Sequence, residues 1–262
     1  MTDTTTLTAD GERRIASFTD VTRTYGGIPV VDSVSLSIRP GTTAVIGPNG
    51  SGKSTLLGLL AGSVEPVEGV VDRAETGDGR GERRVGYLPQ DVPFRGSFTA
   101  RETLAFYARF VGADPDALLA SVGLTDAADR RVDALSGGMR RLLGIAQATI
   151  GDPPLVVLDE PTSGLDPGMR ERAFRVAAAA ADDGTAVVVS SHDLDLVGEH
   201  ADRLLLLDRG GVAAADDVDS LFEDHDVSSV EELYRSVVAS DSDGLGGSSE
   251  ADHAVHVTGV SE

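Results

Sequence analysis

The 262-residue chain contains no cysteine. Disulfides, zinc ribbons, thiolate-held iron–sulfur clusters and cysteine nucleophiles are thereby excluded. Basic charge is scarce: 22 Lys and Arg stand against 43 Asp and Glu, for a net charge of −21. That balance disfavours nucleic acid as a partner, because neutralising phosphates takes clustered Lys and Arg. It equally disfavours attachment to anionic lipid by basic residues alone. No apolar run approaches the ~18 residues of a spanning helix. Met1-Thr2-Asp3-Thr4 opens without the basic stretch and apolar run of a signal peptide, so the expectation is a soluble intracellular chain. The length allows one large domain or two modest ones with a real core.

Lysine is almost missing as well. Lys53 is the single one, which leaves 21 arginines, and the acidic residues divide into 29 Asp and 14 Glu. Lysine is ordinarily among the commonest residues. A strongly negative, Asp-rich, Lys-poor composition resembles proteins of salt-loving microbes, where high salt screens self-repulsion. An ordinary acidic protein poor in lysine has the same composition. On either reading, the position of the one lysine asks for a reason.

What is present is an alternation of strands and helices. Residues 1–14 read as a loose arm. Ile15–Tyr25 and Val30–Ile38 alternate as β-strands around a Gly26-Gly27 turn. Thr43–Ile46 is a short apolar strand that enters a glycine-rich loop and the helical run Ser54–Ala61. Val70-Val71 and Val85–Leu88 are further strands, with a loop over Ala74–Arg84. From Pro93 to Ile150 the pattern turns helical: Thr99 to Glu102 has capping-box spacing, and Asp114-Pro115 opens another helix. Leu155–Leu158 is an unbroken apolar run, expected of a strand buried on both faces of a parallel sheet. Then come a helix over Met169–Ala181, the strand Ala186–Val189, a helix over Leu194–His200, the strand Leu204–Leu207, a Gly210-Gly211 hairpin and a last helix over Val230–Val238. A Ser/Asp/Gly-rich tail follows from about residue 240. The expected class is α/β, with a helical segment inserted.

Gly47-Pro48-Asn49-Gly50-Ser51-Gly52-Lys53-Ser54-Thr55 fits the P-loop pattern in full, with a strand before it and a helix after it. Such glycines let backbone N–H groups curl around phosphate oxygens, and the helix N-terminus adds positive partial charge. Lys53 is placed to reach the β- and γ-phosphates, and the Ser54 hydroxyl to ligate Mg²⁺. Arginine is a poor substitute there, since a planar fork does not fit where a compact ammonium does. Asp159 and Glu160 end the buried strand. An Asp at that place can hold Mg²⁺ through its water shell, and the Glu can polarise an attacking water.

Between these motifs lies Leu135-Ser136-Gly137-Gly138-Met139, a Ser-Gly-Gly turn opening a helix and so an anion site in its own right. Here the chain resembles the ATP-binding-cassette (ABC) family, whose signature reads LSGGQ; Met139 stands where the family usually has Gln. Other elements of the resemblance follow in order over roughly residues 15–238. Tyr25 lies where an aromatic ring stacks on adenine in the family, although an isolated Tyr also reads as packing. Gln90, in Tyr87-Leu88-Pro89-Gln90, matches the Q-loop glutamine, which touches Mg²⁺ or the attacking water. Ser163-Gly164-Leu165-Asp166 matches the D-loop, which crosses the dimer interface. His192 matches the switch histidine, which contacts the γ-phosphate.

The resemblance implies a RecA-like P-loop NTPase core with an antiparallel β subdomain and an inserted α-helical signature subdomain at about 91–149. The cassette occupies 15–238, and 239–262 forms an acidic tail. It implies ATP and Mg²⁺ as cofactors and a homodimer in which Ser136, Gly137 and Gly138 of one subunit close on the ATP held by the other. It further implies a permease on a separate chain, with the ATPase peripheral on the cytoplasmic face of the membrane. Phe94 and Phe98 are expected to offer that permease an apolar groove. Met139-Arg140-Arg141 and Ser229–Tyr234 are similar to drug-exporter-like cassettes, so export is expected; an importer, or a soluble non-transport ABC ATPase, is the alternative. His253 and His256 are read as solvated bystanders, and Asp216–Asp226 as a solvated acidic face.

Overall fold

The structure, a computed structural model, describes residues 13–73, 84–181 and 184–243, the last five by backbone alone. Most of the expected arm, the loop at 74–83 and the tail with His253 and His256 lie outside the described residues.

Two sheets form the scaffold. A three-stranded antiparallel sheet has the order β2-β1-β4, from β1 (Ala16–Tyr25), β2 (Ile28–Ile38) and β4 (Glu68–Arg73). A six-stranded sheet has the order β5-β6-β7-β3-β8-β9, from β3 (Gly41–Ile46), β5 (Val85–Leu88), β6 (Leu155–Leu158), β7 (Ala186–Ser190), β8 (Arg203–Asp208) and β9 (Gly211–Asp217). All neighbours in it are parallel except the β8–β9 hairpin.

Strand parity explains the unbroken apolar runs. Leu155, Val157, Val188, Leu205 and Leu207 pack with Leu56, Leu57, Leu59 and Leu60 of α1 (Lys53–Ala61) and with Phe18, Val21 and Val34 of the small sheet. Their strand neighbours Val156, Leu158, Val187, Val189, Leu204 and Leu206 join the other core, with Phe174 and Val197. Helix α1 is thus held between the two sheets, apolar over its buried length beyond Lys53.

Helices α2 (Ala100–Ala108), α3 (Pro115–Ser121) and α4 (Gly137–Ala148) fill the segment between β5 and β6. The capping box at Thr99 and Glu102 forms as read, with Thr99 accepting from the Glu102 N–H and Glu102 from the Thr99 N–H. Helix α5 (Pro167–Ala179) starts earlier than its apolar periodicity suggests, because Asp166 caps it and Pro167 takes the first turn. Helix α6 (Leu194–His200) follows β7. The acidic stretch Asp216–Asp226 presents the solvated face that was expected, with Asp219, Glu223 and Asp224 exposed, and it does so from an unexpected helix, α7 (Val218–His225), which buries Val218 and Leu221. Helix α8 (Val230–Asp243) runs past the expected end at Val238.

Candidate functional site

The loop from Gly47 to Gly52 joins β3 to α1. Gly52 takes a φ of +103°, and no side chain caps the helix that follows. A Cβ on Gly52 would meet the Val30 carbonyl oxygen at 2.3 Å, and one on Gly47 that of Leu207 at 2.2 Å. Both places therefore admit glycine alone. The first-turn N–H groups of α1 are left for an anion. Lys53 is 7% exposed. Its Nζ donates to the Gly47 carbonyl at 2.8 Å and the Pro48 carbonyl at 3.0 Å. Burial lowers its pKa from the ordinary lysine value, against the pull of the Glu160 and Asp159 carboxylates.

Across from the loop, β6 ends in Asp159 and Glu160. The Asp159 N–H bonds the Leu88 carbonyl, and its side chain is buried. Asp159 Oδ1 lies 3.3 Å from Ser54 Oγ and accepts from Ser190 Oγ at 2.7 Å. Glu160 adopts a φ of +47°. For an L-residue with a side chain that conformation costs about 1–2 kcal/mol, and such strain concentrates at functional sites. The Glu160 N–H donates to Ser190 Oγ at 2.8 Å, and Glu160 Oε1 lies 2.8 Å from His192 Nε2.

A cavity of about 610 Å³ gathers Asn49, Gly50, Gly52, Lys53, Ser54, Thr55, Gln90, Glu160 and His192. A second, of about 350 Å³, shares Glu160 and His192 and extends to Ser163, Gly164 and Leu165. Gly47, Pro48 and Ser51 shape the loop without lining either. The Ser54 hydroxyl, Asp159 carboxylate and Gln90 amide oxygen are hard oxygen donors, a set that fits Mg²⁺.

Other expected residues stand apart. Tyr25 ends β1 46% exposed, with the Arg23 guanidinium 4.7 Å over its ring. Ser136 caps α4 by accepting from the Met139 N–H at 3.2 Å, and neither it nor Gly137 and Gly138 line the two cavities. Asp166 accepts from the Met169 N–H at 3.0 Å, so its carboxylate serves α5.

Sequence reading missed Ser190, and also Arg170, which donates to the Leu165 carbonyl and pairs with Asp193 at 3.1 Å. The sign for Ser190 was the one hydroxyl in an otherwise apolar strand, two residues before His192.

A family model described as ABC transporter matches residues 31–163. The chain is 39% identical over 224 residues to the hemin import ATP-binding protein HmuV of Rhodococcus jostii, covering 80% of this chain and 74% of that protein. It is 35% identical over 226 residues to the Nod factor export ATP-binding protein I of Bradyrhizobium diazoefficiens, covering 82% and 74%. Among solved structures, the ATP-binding cassette MJ0796, in a dimeric post-hydrolysis state bound to ADP and Pi, superposes with a TM-score of 0.68 at 26% identity, over 78% of this chain and 99% of that one.

Proposed function

The chain belongs to the ABC transporter family as one of its ATPases, and from that premise we propose that it powers a membrane permease through ATP-driven closing and opening of a homodimer. One observation carries the reading: Glu160 and His192 meet at 2.8 Å beside the Lys53 loop, while the second anion-ready turn, Ser136 to Gly138, lies away from that cavity. One chain thus holds both halves of a site but does not join them. A two-fold dimer joins them twice, because each subunit offers both halves to its partner.

In this reading the loop N–H groups and Lys53 bind the ATP phosphates, and Tyr25 covers the adenine. Glu160 orients and deprotonates the attacking water, His192 holds the γ-phosphate, and Lys53 stabilises the developing charge. Ser54, Asp159 and Gln90 are the residues that would hold Mg²⁺, which supplies charge neutralisation on the phosphates. The turn from Ser163 to Leu165 crosses the interface, and Asp166 fixes it by capping the helix behind it. The cassette is taken as residues 15–238, with 91–149 as its helical subdomain.

Gln90 and the segment after it connect the site to the permease. Phe94 and Phe98 line an apolar hollow of about 140 Å³ with Phe106 and Tyr107, a fit for a permease helix. No helix among the described residues is long and apolar enough to cross a membrane. In this reading the permease is a separate chain, and the ATPase sits against its cytoplasmic face. Export is supported by Met139-Arg140-Arg141 and by Ser229–Tyr234; transport by everted vesicles carrying the complex tests the direction. The Lys-poor acidic composition supports a high-salt cell, which ATPase activity rising into molar salt would bear out.

Glu160→Gln tests the whole scheme. The variant is expected to bind ATP with Mg²⁺ and accumulate a dimer on sizing; a monomer under those conditions overturns it.

A further inference from the structure

We propose that Ser190 is a positioning residue of this site, one hydroxyl that sets the Asp159 carboxylate and the Glu160 backbone relative to each other. The inference rests on the roles proposed above for those two residues. Strand β7 reads Ala-Val-Val-Val-Ser, and all five residues are buried. Ser190 is 0% exposed, and a hydroxyl so placed needs partners. It has two, Asp159 Oδ1 at 2.7 Å and the Glu160 N–H at 2.8 Å.

The topology explains why a side chain is used here. The parallel ladder between β6 and β7 ends at the pair Leu158 and Val189. Beyond it β7 keeps only its other neighbour, β3, which it pairs along its whole length and which the Ser191 N–H still bonds at the Val45 carbonyl. Glu160 lies past that last pair, and its N–H goes to the Ser190 hydroxyl instead of a β7 carbonyl. The Ser190 hydroxyl takes the place of a main-chain acceptor at that point. Its single proton goes to Asp159, so its lone pair receives the Glu160 N–H, and the polarity of the link is fixed. The carboxylate proposed to hold the cation and the backbone carrying the proposed base therefore move together. The link is also continuous with His192, two residues on.

The experiment compares Ser190→Ala with Ser190→Thr, using Ser190→Cys as the hydrogen-bonding variant if the threonine methyl is not accommodated. Rates are normalised to the stoichiometry of fluorescent ATP bound in EDTA, which removes unfolded protein from the comparison. Ser190→Ala is expected to keep its nucleotide affinity in EDTA, lose about 10- to 100-fold in kcat, and bind Mn²⁺ about tenfold more weakly in its nucleotide complex by EPR titration, as loss of an outer partner does at other metal sites. The hydrogen-bonding variant is expected to recover both. Wild-type kcat and Mn²⁺ affinity in Ser190→Ala overturn the inference, as does equal loss in both variants, which would make Ser190 a packing residue. Asp159→Asn and Glu160→Gln are measured alongside. If they lose hydrolysis while Ser190→Ala does not, this inference alone fails; if they retain it, the roles beneath it fail.

Discussion

Helices α1 and α4 both begin on glycine-rich turns with first-turn N–H groups free to meet an anion, yet their glycines answer to different neighbours. At α1, Gly47 and Gly52 are fixed from inside the chain, by the carbonyls of Leu207 and Val30 within 2.3 Å of where a Cβ would stand. No side chain caps α1, and Lys53 is buried against the loop. At α4, Ser136 satisfies the Met139 N–H itself, and Gly137 is exposed with nothing within 4 Å of its Cβ position. Nothing among the described residues requires glycine at 137, whereas a Cβ on the buried Gly138 would meet Met169 Cε at 2.6 Å. The first turn is shaped by its own chain at Gly47 and Gly52; the second is shaped by it at Gly138 and leaves Gly137 open, where the proposed partner would bring its ATP.

The largest effect should come from the complete half. Lys53→Ala removes the only ammonium group among the side chains, and phosphate release in high salt is expected to fall about a thousand-fold, the upper end for loss of one preorganised donor. Near-wild-type turnover would break the comparison at its stronger side.

Gly137→Asp sharpens it from the other side. The new side chain has room, and a carboxylate in the first turn favours the helix itself. It also puts negative charge where the partner's phosphates are expected. Hydrolysis should fall about a hundred-fold, while fluorescent-ATP binding to the monomer and the melting temperature hold. Loss of binding in the monomer would place the two turns in one site instead of two.

How much of this was legible in the sequence differs between the same two regions. The loop of α1 could be read because its requirements are local: strand, glycines, lysine and helix follow one another. So could Asp159 and Glu160, as carboxylates ending an apolar run. Ser190 escaped because its partners lie 30 and 31 residues away, and only strand order makes them neighbours. Helix α7 escaped for another reason: its exposed Asp and Glu were legible as a solvated face, but two buried residues, Val218 and Leu221, give too short a period to announce a helix. The early start of α5 was readable from Asp166-Pro167, the same cap that was recognised at Asp114-Pro115.

A smaller effect is expected at Tyr25, whose proposed role assigns it to the α1 half but which stands exposed at the end of β1. Arg23 over its ring holds the face in place. Tyr25→Ala should raise the KM for ATP about five- to tenfold, the value of one base–aromatic stack, and Tyr25→Phe should leave it unchanged. Because every base has a face, ATP and GTP should suffer alike. Unchanged KM in Tyr25→Ala would return the residue to packing.

The smallest effect separates capping from contact. Asp166 lies in the motif expected at the dimer interface, where sequence resemblance would give its charge a role across subunits. In the structure its Oδ1 accepts the Met169 N–H, and Pro167 follows in the first turn of α5. A cap needs an acceptor and not a charge. Asp166→Asn should therefore keep both melting temperature and hydrolysis. Asp166→Ala should cost about 1 kcal/mol, or about 2–4 °C in a chain of this size, with hydrolysis changed only as the turn from Ser163 to Leu165 loosens. If Asp166→Asn melts like the wild type yet hydrolyses ATP poorly, the charge itself is used, and it is used between subunits, since within one subunit the cap is intact. Asp166 would then join Gly137 on the side of the comparison that only a partner completes.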